Sequence, residues 1–157
     1  KSEENNQTVM YEFDLSKAIK NTALEFESTV FEAGKHLSSD VEDSITYFGN
    51  EPQIKQLLSI LVDNAIKHSN DSGAIKVSLS RNKEKIQLSV FNTGPGIRED
   101  EKERIFDRFY RSDDSRSRTT GGYGLGLSIA KSIVSSHKGK ITVAGKPENW
   151  IEFIVTL

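Results

Sequence analysis

Residues 51–69, EPQIKQLLSILVDNAIKHS, repeat their apolar side chains at helical period, and that stripe sets what the rest of the chain must supply. Pro52 suits a first helical turn, where its missing N–H costs no hydrogen bond. Ile54, Leu57, Leu58, Leu61 and Ala65 then fall on one face. A helix with one apolar face must lie against a second layer. In GAIKVSLSRNKEKIQLSVFNTG, two alternating runs, Ile75-Val77-Leu79 and Ile86-Leu88-Val90, flank the turn RNKEK and predict a hairpin. KITVAG and WIEFIVTL predict a second hairpin at the end of the sequence.

The other segments fit around that frame. MYEFDL reads as a short strand, and Ser16 as the cap of a helix, KAIKNTALEFESTVFEAG, that stops at Gly34. KHLSSDVED and SITYFGN read as short strands with a turn between them. PGIREDEKERIFDRFYRSDDSRSRTTGG carries a short helix near its middle, then a tract rich in Ser, Arg, Asp and Thr. YGLGLSIAKSIVSSHKG is the last long helix. Helices and mostly antiparallel strands without strict alternation predict an α+β fold. The expected form is a two-layer α/β sandwich, a mixed sheet with helices on one face. The length, 157 residues, suits one domain over residues 10–157, with the polar KSEENNQTV, residues 1–9, as a linker remnant. A net charge of −2 gives no global pull toward nucleic acid or anionic lipid. With no cysteine there is no disulfide framework and no thiolate metal site, which fits a reducing compartment. No apolar run approaches the ~18 residues of a membrane span, and no signal peptide is visible.

Asparagine favours caps over helix interiors, yet Asn64 sits in mid-helix. At about 100° per residue, Ile60, Asn64 and Lys67 form a row beside the apolar stripe, and Asn64 and Lys67, three residues apart, are neighbours. An amide oxygen there suits a hard cation such as Mg2+, and the adjacent lysine suits a phosphate. The helix taken alone favours a plainer account, a solvent-edge asparagine beside a snorkelling lysine. FNTGPGI ends a strand with Gly94 and Gly96 around Pro95, a sharp turn that admits close approach of a ligand, although taken alone the stretch favours a plain turn. GGYGLGL is different. It opens a helix, where free N–H groups and the helix dipole favour anions, and bare glycines let phosphate oxygens in. It lacks the Gly-Lys-Ser/Thr ending of a P-loop and the spacing of a dinucleotide-binding turn. Between the clusters, RIFDRFYRSDDSRSR combines aromatic anchors with arginines able to reach a polyphosphate.

Together these residues resemble the catalytic, ATP-binding domain of sensor histidine kinases. That domain belongs to the Bergerat-type ATPases, with gyrase, heat-shock chaperones and mismatch-repair ATPases. LLSILVDNAIKHS resembles the asparagine box and FNTGPGI the first glycine box. IFDRFYR resembles the phenylalanine box, and GGYGLGLSIAKSIVSSHKGKI the second glycine box. The resemblance implies binding of ATP with Mg2+. Asn64 would ligate the metal, Lys67 would meet a phosphate and His68 would lie near the nucleotide. Gly94, Gly96 and Ile97 would line the adenine pocket, with Asn92 where the family usually carries aspartate. Tyr110 and Arg111 would close over the nucleotide, and Arg108 would reach the γ-phosphate. An ATP lid would run over about residues 94–122. Gly122, Gly124 and Gly126, with Leu125 and Leu127, would end it and cradle the phosphates.

The departures are informative. Asn92 can accept a hydrogen bond from the adenine amino group, but without charge assistance, and its NH2 also donates, which softens selectivity for adenine over guanine. Ile60 stands where many relatives carry a second asparagine and hydrolytic relatives a glutamate. Isoleucine neither ligates metal nor activates water, which argues for phosphoryl transfer over rapid hydrolysis. Tyr123 stands at a site more often small or hydroxylic. None of the contexts of His36, His68 and His137 resembles the acceptor motif of the family. The acceptor histidine is therefore expected on a separate dimerisation domain, with onward transfer to a response regulator. The resemblance further implies a cytoplasmic domain of a membrane-anchored sensor, monomeric in isolation, touching neither nucleic acid nor membrane. Two other readings are a non-catalytic nucleotide-binding or docking module and an anti-sigma-factor serine kinase. The intact IFDRFYR box disfavours the second.

Overall fold

The computed structural model describes residues 8–108, 110 and 123–157. The elements are β1 (Tyr11–Asp14), α1 (Leu15–Leu24), α2 (Glu27–Glu32), β2 (His36–Val41), β3 (Thr46–Gly49), α3 (Glu51–His68), β4 (Ala74–Asn82), β5 (Lys85–Thr93), α4 (Tyr123–Ser136), β6 (Lys140–Lys146) and β7 (Trp150–Thr156). Five strands form a mixed sheet in the order β2-β4-β5-β7-β6, in which only the β2–β4 pair is parallel. The expected hairpins are β4–β5 and β6–β7. Period-two alternation places Ile75, Val77, Leu79, Leu88, Val90, Phe153 and Val155 on the buried face. Against it lies the stripe of α3, with Ile54, Leu57, Leu58, Leu61, Val62 and Ala65 all buried, flanked by α1 and α4. The two-layer α/β sandwich with helices on one face is the fold expected.

Two local expectations are corrected. The cap of α1 is Asp14, whose Oδ1 accepts from Lys17 N at 2.9 Å. Ser16 lies inside the first turn, where its hydroxyl donates to the Glu42 carbonyl and accepts from Ile45 N at 2.9 Å. That buried hydroxyl ties α1 to the β2–β3 connection, a tertiary use that competes with capping. The single helix expected up to Gly34 is two: Phe26 N bonds back three residues to Ala23 O, the ladder tightens, and α2 restarts at Glu27. β2 and β3 are the two short strands expected, with a turn between them, and they enter different sheets. β2 joins the main sheet beside β4, with His36 as its first residue, whereas β3 pairs antiparallel with β1 in a two-stranded sheet of its own.

The segment after β5 also differs. The short helix expected near the middle of residues 95–122 is a single 3-10 turn at Glu99–Glu101, followed by hydrogen-bonded turns through Arg108. Phe106 leaves the helical path to pack edge-on against Phe153 in the core, with ring centroids 5.8 Å apart. Burying that ring outweighs continuing a short, highly charged helix.

Candidate functional site

α3 and α4 run antiparallel. Ile60, late in α3, lies beside Gly126 at the start of α4, and Asn50, before α3, bonds to His137, just after α4. Ile60 is thus level with the first turn of α4, which contains Gly124 and Gly126, and Asn64, one turn further along α3, lies toward the N-terminal end of α4. Gly124 and Gly126 lie inside this helix, as its expected start at Tyr123 requires. A Cβ added at Gly126 would sit 3.6 Å from Ile60 Cγ2, an ordinary contact, so packing alone does not demand glycine there.

The end of β5 is stitched to the end of α3. The Thr93 carbonyl accepts from Asn70 N at 3.2 Å, and Thr93 Oγ1 donates to Asn70 Oδ1 at 2.8 Å. Gly94 lies so close to His68 that an added Cβ would meet its carbonyl oxygen at 2.7 Å. Lys35 reinforces the same corner, since its ammonium donates to the Ile66 and Ser69 carbonyls at 2.6 and 3.0 Å. Those carbonyls lie at a helix C-terminus, where intrahelical donors run out. Asn64 and His68 are half-buried at this corner, and exposed Lys67 pairs with Asp63 at 3.1 Å.

Asn92 lies on the central strand, its side chain on the helix-facing side, 1 % exposed. Its Nδ2 donates to the Thr93 carbonyl at 2.9 Å, which leaves Oδ1 as the acceptor end of the amide. The amide is therefore oriented as an acceptor. Ile97 is buried against Gly145 and shares one apolar cluster with Leu127 and Phe106, whereas Leu125 is 39 % exposed.

Glu101 is a residue the sequence reading missed. It is 6 % exposed, accepts from Arg98 N at 3.2 Å and from the Tyr110 hydroxyl at 3.1 Å, and lies 3.7 Å from the Arg98 guanidinium. Tyr110 is thus drawn to Glu101, with the Arg104 guanidinium 4.8 Å from its ring centroid. Hydrogen bonding and charge from Tyr110 hold Arg104 above the ordinary guanidinium range. Arg108 is exposed on the turn segment. Arg111, Gly122 and the later part of the expected lid, residues 109 and 111–122, lie outside the described residues, as does the side chain of Tyr123. The structure therefore brings Asn64, Lys67, His68, Asn92, Gly94 and the start of α4 to one corner.

The matched family is the histidine kinase-, DNA gyrase B- and HSP90-like ATPases, over residues 49–157. The chain is 34% identical over 79% of its length to the histidine-protein kinase BaeS of Escherichia coli, of which it covers 27%. It is 40% identical over 94% of its length to the sensor histidine kinase YkoH of Bacillus subtilis, of which it covers 32%. It thus spans about a third or less of these relatives. The nucleotide-free catalytic domain of histidine kinase ThkA superposes with a TM-score of 0.82 at 30% identity, covering 95% of both chains. ThkA in complex with the response regulator TrrA matches 99% of this chain and 44% of that one, with a TM-score of 0.77 at 30% identity. The chain belongs to the histidine kinase-, gyrase B- and HSP90-like ATPases, and the named relatives are sensor histidine kinases.

Proposed function

We propose that this chain is the ATP-binding catalytic domain of a two-component sensor histidine kinase and presents the γ-phosphoryl group to a histidine on a separate dimerisation domain. The observation that carries the reading is the antiparallel register of α3 and α4. It sets a glycine-bearing helix start, where packing does not require glycine at Gly126, against Ile60, one helical turn from the half-buried Asn64. Free N–H groups in that turn suit phosphate oxygens. The buried, acceptor-oriented Asn92 suits the adenine amino group, as do Gly94, Gly96 and Ile97 the edge of the base. Asn64 is the residue that would hold Mg2+, which supplies charge neutralisation on the phosphates. Lys67 would exchange Asp63 for a phosphate, while Arg108, Tyr110 and Arg111 stand on the segment expected to reach the nucleotide. Phosphoryl transfer leaves the protein little covalent work, so positioning and charge are its contribution. Ile60, packed toward Gly126, supplies no base for water.

Residues 1–9 belong in this reading to a linker from the dimerisation domain, and the phosphoryl group passes onward to a response-regulator aspartate. Among the described residues no helix is long and apolar enough to cross a membrane. A cytoplasmic domain of a membrane-anchored sensor, monomeric by itself, fits the proposal. The test adds the dimerisation domain of the same kinase and radiolabelled ATP to the chain. Label on its histidine is the expected result. Label on serine points to an anti-sigma-type kinase, and no label to a docking module.

Asn92→Asp probes the adenine contact separately. In the free protein the new carboxylate faces the Thr93 carbonyl and loses the Nδ2 hydrogen bond, so stability falls by about 1 kcal/mol. The adenine amino group then meets a charged acceptor, and ATP binding tightens by about 1 kcal/mol. A melting curve and a binding isotherm read the two effects. ATP affinity equal to or weaker than that of the unmodified chain contradicts the contact.

A further inference from the structure

At the end of the helix pair remote from the candidate site, three segments meet at one imidazole. His137 Nδ1 lies 2.8 Å from the Ile133 carbonyl and 3.3 Å from Ser136 Oγ, and Nε2 accepts from Asn50 N at 3.1 Å. A backbone N–H only donates, so Nε2 is the bare nitrogen and Nδ1 carries the hydrogen. Asn50 is equally committed. Its Oδ1 accepts from Gln53 N at 2.9 Å, capping α3, and its Nδ2 donates to the Val9 carbonyl at 2.9 Å. The imidazole stacks on Tyr47 with centroids 6.0 Å apart, and the ring contacts continue through Phe13 to Tyr11 on β1 at 6.1 and 6.0 Å. Gly49 has no spare room, since a Cβ would lie 2.5 Å from the Tyr47 ring and 2.9 Å from His137. Burial pushes the Tyr47 phenol up.

We propose that His137 is a positioning residue. Its bond to Asn50 fixes how α4 lies along α3, and so couples nucleotide binding to the seating of residues 9–14. The inference rests on the nucleotide reading. Asn64 is about 21 Å along α3 from Asn50, and the helices carry any shift between the two ends as stiff elements. The bond between His137 and Asn50 is either made or broken, which gives the coupling two discrete states. Coupling is reciprocal: if a seated N-terminal segment favours nucleotide, nucleotide favours the seated segment.

Hydrogen exchange of the full chain with and without Mg2+-ATP, alongside calorimetry on the same samples, tests this. In the unmodified chain ATP should slow exchange of the Tyr11–Asp14 amides about fivefold. His137→Gln, whose amide oxygen can replace Nε2 as acceptor, should keep that protection. His137→Leu should lose it while still binding ATP at saturation. Asn50→Asp should lose it too, while keeping the α3 cap and therefore a folded helix start. ATP binding that leaves these amides unchanged in the unmodified chain, or protection that survives both His137→Leu and Asn50→Asp, overturns the coupling. No heat of ATP binding in the unmodified chain removes the nucleotide reading and the coupling with it.

Discussion

Gly96→Ala is expected to unfold the first glycine turn and to cost about 3 kcal/mol of stability. Gly96 has φ +70°, and a side chain there would meet the Lys146 carbonyl oxygen at 2.0 Å and that of Trp150 at 3.0 Å. The left-handed backbone accounts for about 1–2 kcal/mol of the cost, and the overlap for about 1–3 more. The neighbours that must yield are backbone atoms of β6 and β7, which cannot rotate aside. Ile97 is carried on this turn, so ATP affinity should fall about tenfold or more in protein that remains folded. Gly126→Ala works in the opposite sense. Its Cβ makes only an ordinary contact with Ile60, and alanine raises helix stability by about 1 kcal/mol, yet the added methyl should obstruct the phosphates. Chemical denaturation and a nucleotide titration on both variants separate fold from site. A fully stable Gly96→Ala would contradict the turn geometry.

Asn64→Ala should have the largest effect on ligand binding with little effect on the fold. The residue is half-buried, among the described residues its amide holds no hydrogen bond on which the core depends, and alanine is the better helix former. Removing an amide that serves a metal–phosphate group should cost about 1.5–3 kcal/mol of Mg2+-dependent ATP affinity, roughly 10- to 150-fold. Binding measured without Mg2+ should change far less. Equal losses with and without the metal would place Asn64 elsewhere in the site, and no loss at all would return it to a solvent-edge residue.

Much of the fold is legible in the chain because its signals are periodic and local. The stripe of α3, the two alternating hairpins and the last helix all rest on neighbours close in sequence. The misreadings occur where a distant contact decides. Ser16 looks like a cap until Glu42 and Ile45 claim its hydroxyl. The turn at residues 42–45 is legible, but not that its two strands enter different sheets, β2 beside β4 and β3 beside β1. The site shows the same division. Asn64, Lys67, the glycines and Asn92 are legible as residue types in suggestive places. Lys35 and His137 are not, since each acts by reaching across the fold, Lys35 to the end of α3 and His137 to its start. For Glu101 the available signal was an acid three residues after Arg98, within an acidic run that reads as solvated surface. The orientation of the Asn92 amide belongs to the same class: only the Thr93 carbonyl reveals it.

The central claim is that α3, the end of β5 and the start of α4 form an ATP site. Calorimetric titration of ATP into the unmodified chain, with Mg2+ and then with the metal chelated, addresses it most directly. The account predicts saturable one-to-one binding that strengthens when Mg2+ is present. No binding in either condition would contradict it, and would leave the chain a docking module built on an ATPase fold.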